Sequence, residues 1–112
     1  MKRLAILGST GSIGRSTLNI VECYPDRFSV VSLAAGNNLD LAFEQTVRHK
    51  PRLVSMASAE SADKLSAKLK TAGHSDIEVT AGDAGNISVA THPESDFVVS
   101  AIVGVAGGDF DI

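Results

Sequence analysis

The segment LAILGSTGSIGRSTLNIV, from Leu4 to Val21, sets three glycines at even spacing between a short apolar run and a helix-like pattern. A plain turn needs one glycine, or two. Three of them, Gly8, Gly11 and Gly14, interleaved with Ser9, Thr10 and Ser12, describe a backbone that must come close to something polar. A strand that runs through such a loop into a helix aims free backbone N–H groups and the positive end of the helix dipole at one point. A phosphate group fits that point. On this reading a side chain at Gly11 would block the approach, Gly14 allows the helix to pack closely, and the hydroxyls of Thr10 and Ser12 add donors.

The rest of the chain supplies the context that such a loop requires. RLAIL reads as a buried strand, and Ile13, Thr17, Leu18, Ile20 and Val21 recur at roughly helical spacing before Pro25. FSVVSLAAG, residues 28–36, is β-branched and apolar and reads as a second strand. In NNLDLAFEQTVRHK, Leu39, Ala42, Phe43 and Val47 share a helical face, the basic residues Arg48, His49 and Lys50 occupy the last turn, and Pro51 closes the helix. LVSMA is a third strand. A helix follows with Ser58 as candidate cap, Ser61 as its rival, Ala62, Leu65 and Leu69 on one face, and Gly73 as a stop. IEVTAG predicts a short fourth strand, residues 83–91 one or two helical turns, and DFVVSAIVG, residues 96–104, a last strand.

Strands alternating with helices predict an α/β fold: a Rossmann-like, doubly wound parallel sheet with right-handed crossovers and helices on both faces. No repeat, low-complexity segment or linker interrupts residues 1–112, which read as a single domain. The last strand meets GVAGGDFDI with no helix to cover it, so the domain is expected to be incomplete.

The loop spacing, G-x-x-G-x-x-G, is one residue longer in its first half than the G-x-G-x-x-G dinucleotide-binding fingerprint. A tight strand-to-helix turn without a ligand fits it as well. No Gly-Lys-Ser/Thr follows, which excludes the phosphate loop of NTPases. At the end of the second strand an NAD site normally offers an acid to the ribose 2′-hydroxyl. Here the chain reads Ala35, Gly36, Asn37 and Asn38, with no acid before Asp40. A carboxylate repels a 2′-phosphate, whereas neutral amides donate to it. NADP is therefore expected, with Arg15 as a further positive charge. Asn also favours a turn or helix cap by itself, and both roles can hold together.

Composition narrows the classes. At 44% hydrophobic and 21% charged, the 112 residues are of ordinary globular composition, and a net charge of −3 gives no reason to expect nucleic acid or an anionic membrane as partner. No stretch reaches the roughly 20 apolar residues that span a bilayer, and the four apolar residues after Lys2 and Arg3 fall short of a signal sequence. Cys23 stands alone and suits a reducing cytoplasm. His49, His74 and His92 lie far apart without ligand spacing, and the pairs Glu60/Asp63 and Asp109/Asp111 read as solvated or helix-start acids. No residue offers itself as catalytic base or metal ligand.

The phrases ILGSTGSIGRSTLNIV, AAGNN and SAIVGVAG, in this order and spacing, resemble the start of the 1-deoxy-D-xylulose 5-phosphate reductoisomerases, and YPDRFSVVSLAAG and KPRLVSM strengthen the likeness. The resemblance runs from Lys2 to about Gly107. It implies an NADPH-dependent, cytoplasmic and homodimeric enzyme of non-mevalonate isoprenoid biosynthesis. That enzyme rearranges 1-deoxy-D-xylulose 5-phosphate, a phosphosugar, and reduces it to 2-C-methyl-D-erythritol 4-phosphate with Mg²⁺ or Mn²⁺. It further implies that Thr10, Gly11, Ser12 and Ile13 meet the cofactor diphosphate and ribose, within the loop that Gly8 and Gly14 bound, and that Gly36, Asn37 and Asn38 hold the 2′-phosphate. Ala101 and Ile102 would line the path to the nicotinamide. Family members often carry Lys where this chain has Asn37, so the grip on that phosphate should be weaker. The family's metal and substrate residues lie beyond Ile112, and its usual GLLPT-like continuation is replaced by GGDFDI, so the 112-residue polypeptide alone is expected to be inactive. Two other readings stay open: another NADP-linked dehydrogenase of the same fold, disfavoured by the lack of a cysteine downstream of the loop, and a non-catalytic NADP-binding regulatory domain.

Overall fold

Five strands and four helices alternate along residues 2–100, the part of the chain that the computed structural model describes. They are β1 (Lys2–Leu7), α1 (Ser12–Cys23), β2 (Phe28–Ala34), α2 (Leu39–His49), β3 (Leu53–Met56), α3 (Ala59–Thr71), β4 (Glu78–Ala81), α4 (Gly82–Ala90) and β5 (Phe97–Ser100). All strand pairs are parallel, in the order β4-β3-β2-β1-β5. The doubly wound α/β sheet expected from the alternation is therefore present.

Alternation along each strand sorts the side chains by size. Leu4 and Ile6 of β1, Leu33 of β2, and Val54 and Met56 of β3 face one way and pack against Leu18 and Val21 of α1, Ala42 of α2, and Ala62, Leu65 and Leu69 of α3. The intervening residues Ala5, Ala34 and Leu53 face the other way and meet Val89 of α4. Serines share that second face: the buried Ser32 hydroxyl donates to the Val89 carbonyl at 2.9 Å. Mostly large aliphatic side chains hold three helices on one face, and on the other Ala5, Ala34 and Ser32, with Leu53 beside them, let a single helix lie close. The division follows from topology. Strands are added in one direction from β1 to β4, then the chain returns to set β5 on the far side of β1, and right-handed crossovers put the returning helix on the opposite face.

Two helices bury residues beyond those their apolar pattern singles out, although the expected face of α2, with Ala42 in the core and Leu39, Phe43 and Val47 packed against it, is the one used. On α1 the buried residues are Gly14, Leu18 and Val21, at i, i+4 and i+7, while Ile13 and Ile20 are about half exposed. On α2, Leu39, Phe43 and Val47 are only partly buried, and the polar Gln45 and Thr46 lie inside with Ala42. Helix α4 runs nine residues, at the upper end of the expected one or two turns and beyond. Its own sequence, rich in Gly and Ala, carries little helical signal, and packing on the small-residue face holds it. The expected caps are in place: the Ser58 hydroxyl accepts from the Ser61 N–H at 3.2 Å, and Gly73 takes φ of 87° after α3.

The reversal of direction lies between β1 and β5, at the ends where Leu7 pairs with Ala34 on one side and Ser100 on the other. In open α/β sheets ligands bind outside the carboxyl ends of the strands at such a switch point. Gly8 is the next residue.

Candidate functional site

The loop from Gly8 to Gly11 turns out of the centre of the sheet. Gly8 adopts φ of 80°, which a side chain would strain, and its N–H shares the Ala34 carbonyl with the Ser9 N–H, both at 2.9 Å. The Gly11 N–H then donates to the Gly8 carbonyl at 3.1 Å, and Arg15 N–H to the Gly11 carbonyl at 2.9 Å opens α1. Ser12, Ile13 and Gly14 are left at the head of the helix, and no group among the described residues accepts their N–H donors.

The other helices on the same face are finished differently. Asn38 caps α2, accepting from the Leu41 N–H at 3.1 Å, with Asp40 in the first turn; Ser58 caps α3, with Glu60 in its first turn. Helix α1 has neither: Gly11 makes no side-chain cap and no acid stands in its first turn. Negative charge stabilises a helix N-terminus, and α1 provides none of its own.

The glycines divide by function. A Cβ on Gly14 would overlap the Gly8 carbonyl oxygen and stand 2.6 Å from the Ser9 Cα, so close packing of backbone on backbone requires a glycine there. A Cβ on Gly11 would meet only the Gly8 carbonyl oxygen, at an ordinary 3.5 Å, and φ of −79° suits any residue. Nothing in the protein itself demands a glycine at 11.

The residues after β2 sit beside this loop. The Thr10 hydroxyl donates to the Ala35 carbonyl at 2.9 Å, and the position a Gly36 Cβ would take is 3.8 Å from it. This corrects one expectation: the Thr10 proton is engaged within the fold, so its hydroxyl can only accept from a further partner. Asn37 and Asn38 are both anchored through oxygen. The Asn37 Oδ1 accepts from the Ser61 hydroxyl at 3.0 Å and the Ser58 hydroxyl at 3.4 Å, and the Asn38 Oδ1 caps α2. Each amide therefore has its –NH₂ left to donate. Arg15 lines a groove of about 380 Å³ between α1 and α2, with Glu22 and Glu44.

From beneath, α2 reaches the loop through Gln45, 6% exposed, whose Nε2 donates to the Ser9 carbonyl at 2.8 Å. Neither Gln45 nor the tie from Ser61 to Asn37 was expected from the sequence; a polar residue on a helix face announces nothing until its target is in place. At the far end of the same groove, His49 Nε2 lies 3.3 Å from Glu22 Oε2. Burial of the imidazole, 7% exposed, outweighs the attraction of Glu22 and holds its pKa below the ordinary value.

The structure thus brings together Gly8, Thr10, Gly11, Ser12, Ile13 and Gly14 with Gly36, Asn37 and Asn38. Ala101 and Ile102 lie outside the described residues. Among the described residues no three His, Cys, Asp or Glu side chains gather as metal ligands, and no helix is long and apolar enough to cross a membrane.

The family model described as 1-deoxy-D-xylulose 5-phosphate reductoisomerase matches residues 4–109. The enzyme of that name from Geotalea uraniireducens is 50% identical over 107 residues, and that from Methylococcus capsulatus 49%; each match covers 96% of this chain and 27% of the relative. A crystal structure of DOX-P reductoisomerase with NADPH, fosmidomycin and magnesium superposes with a TM-score of 0.87 at 36% identity, over 93% of this chain and 25% of that one. The Zymomonas mobilis enzyme in complex with NADPH gives 0.82 at 29% identity, over 92% and 26%. The chain spans about a quarter of the length of the relatives it matches. With this match over nearly all of its residues, the chain belongs to the 1-deoxy-D-xylulose 5-phosphate reductoisomerase family.

Proposed function

We propose that residues 1–112 form one NADPH-binding unit, the cofactor-holding part of a reductoisomerase that converts 1-deoxy-D-xylulose 5-phosphate to 2-C-methyl-D-erythritol 4-phosphate. The observation that carries this is the open N-terminus of α1. The Ser12, Ile13 and Gly14 N–H groups are unanswered by the protein, beside a Gly11 whose missing side chain serves no internal contact. A diphosphate supplies both the acceptors and the negative charge that this terminus lacks. Gly8 sets the turn, Gly14 lets the helix start against the loop, and Thr10 ties the loop to Ala35. The –NH₂ groups of Asn37 and Asn38, with the backbone at Gly36, take the 2′-phosphate through neutral donors, and Ala101 and Ile102 line the way to the nicotinamide.

When bound, NADPH supplies the hydride for the reduction. This chain's residues bind and orient it; no described residue is assigned to proton transfer. The described residues offer no cluster for Mg²⁺ or Mn²⁺, so the metal that relatives hold and the phosphosugar are assigned to the remainder of a full-length protein. A single exposed cysteine suits the cytoplasm, and the complete enzyme is read as a homodimer in isoprenoid biosynthesis.

Calorimetric titration of the 112-residue chain with NADPH, and with NADH as its pair, tests the reading. Saturable binding with NADPH favoured over NADH is expected. Heat from neither, or equal affinity for both, contradicts the assignment.

A further inference from the structure

Among the described residues, Gln45 is the one polar side chain that hydrogen-bonds the underside of the glycine loop from another element, and it is poorly served there. Its Nε2 donates to the Ser9 carbonyl at 2.8 Å, but its Oε1 is buried without a protein partner, as is the Ser9 hydroxyl beside that carbonyl. A buried acceptor without a donor destabilises a fold, and an apolar side chain of equal size would avoid it. Stability alone therefore does not favour Gln at 45.

What the donor achieves is orientation. In a trans planar peptide the C=O and the N–H that follows it point in opposite directions. Gln45 holds the Ser9 carbonyl toward α2, so the same peptide unit turns the Thr10 N–H the other way. No group among the described residues accepts that N–H. The neighbouring units are fixed separately, by Ser9 N–H on the Ala34 carbonyl and by the Thr10 hydroxyl on the Ala35 carbonyl. The Ser9–Thr10 peptide is thus the unit whose direction depends on α2.

We propose that Gln45 is a positioning residue for the cofactor diphosphate: it fixes the Ser9–Thr10 peptide so that the Thr10 N–H joins those of Ser12 and Ile13 in facing the anion. The proposal rests on the NADPH reading above. It adds a residue on α2, outside both sequence motifs, that sets affinity for the diphosphate and not for the 2′-phosphate end.

The test is Gln45→Met, of similar length and without the donor, titrated with two probes: NADPH, which carries the diphosphate, and adenosine 2′-monophosphate, which carries only the 2′-phosphate end. NADPH affinity is expected to fall about tenfold, the worth of one aligned donor, with adenosine 2′-monophosphate within about twofold of the unsubstituted chain and the melting temperature retained or raised. Gln45→Asn, which keeps the amide but shortens its reach by one methylene, should show the same split. Unchanged NADPH affinity in a folded variant, or equal losses for both probes, overturns the proposal alone. So does failure of both variants to fold, which would make Gln45 structural. Absence of binding by the unsubstituted chain overturns the NADPH reading and the proposal with it.

Discussion

Two of the strand-to-helix junctions built on glycine, those after β1 and after β4, are finished in opposite ways. After β1, a four-residue loop precedes α1, whose first N–H groups stand free. After β4, α4 begins at once with Gly82 and lies down on the sheet. Each helix carries an early glycine whose Cβ would overlap a neighbouring group. Gly14 lies against the backbone of Gly8 and Ser9, while Gly85 lies against the Ser55 hydroxyl, with Thr80 Oγ1 2.9 Å from where its Cβ would be. Yet only the first junction holds a glycine, Gly11, that neither a neighbour nor its own backbone requires; Gly82 has open space around it but φ of 72°. A glycine in a turn therefore says little about ligands. The informative glycine is the one whose backbone angles suit any residue and whose missing side chain still leaves room that the protein does not fill.

Substitutions at these glycines separate the two junctions, and the largest effect belongs to Gly14→Ala. Its Cβ meets backbone that cannot rotate away, so the loss of stability is expected to reach or exceed about 3 kcal/mol, the upper end for overpacking, read by thermal or denaturant unfolding. A melting temperature close to that of the unsubstituted chain would mean that α1 can withdraw from the loop.

Gly11→Ala should move a different quantity. The fold loses under about 1 kcal/mol, since the backbone angles are ordinary and only the cap preference changes. NADPH affinity falls by at least about tenfold, because the methyl stands where the diphosphate approaches. Intact affinity in calorimetry would place the ligand elsewhere.

Gly85→Ala shows a smaller loss of stability, about 1 kcal/mol, because serine hydroxyls can rotate and alanine is the better helix former. The double variant with Ser55→Ala should recover most of it, and NADPH affinity should not change. No neighbouring substitution can rescue Gly14→Ala in this way, since its clash is with main chain. A shared outcome for the two positions would erase the distinction drawn between the junctions.

The smallest effect is a dependence on pH. Burial keeps His49 neutral in the fold, with a pKa below its ordinary 6.5. As pH falls through that value, the unfolded chain binds a proton that the folded one does not, so stability declines until the lower folded pKa is reached. Melting temperatures should fall from pH 7.5 to 5.5, and less steeply in His49→Gln. Parallel curves for the two proteins would assign the decline to other groups.

Much of this was readable before the fold. The order of elements follows from apolar runs punctuated by Gly8, Pro25, Gly36, Pro51 and Gly73, because strand and helix boundaries depend on local chemistry. Residue type and spacing single out the loop Gly8–Gly14 and the pair Asn37–Asn38 as candidates, and the fold sets the loop beside the residues after β2. What escaped is what depends on distance in space. Gln45 is buried beside the expected apolar face of α2 because its partner is the Ser9 carbonyl, 36 positions away. Thr10 was expected to donate outward and instead donates to Ala35, a residue 25 positions away. Helix α4, expected as one or two turns over residues 83–91, runs Gly82–Ala90 and is held by packing against β1, β2, β3 and β4.

The central claim is that the head of α1 is an anion site and the head of α4 is not. An NMR titration of the ¹⁵N-labelled chain with NADPH tests both junctions in one spectrum. The account predicts saturable shifts of the Thr10, Gly11, Ser12 and Ile13 amides, with those of Gly82 to Gly85 unmoved. Shifts concentrated at Gly82–Gly85, or none at the first junction at millimolar NADPH, would contradict it.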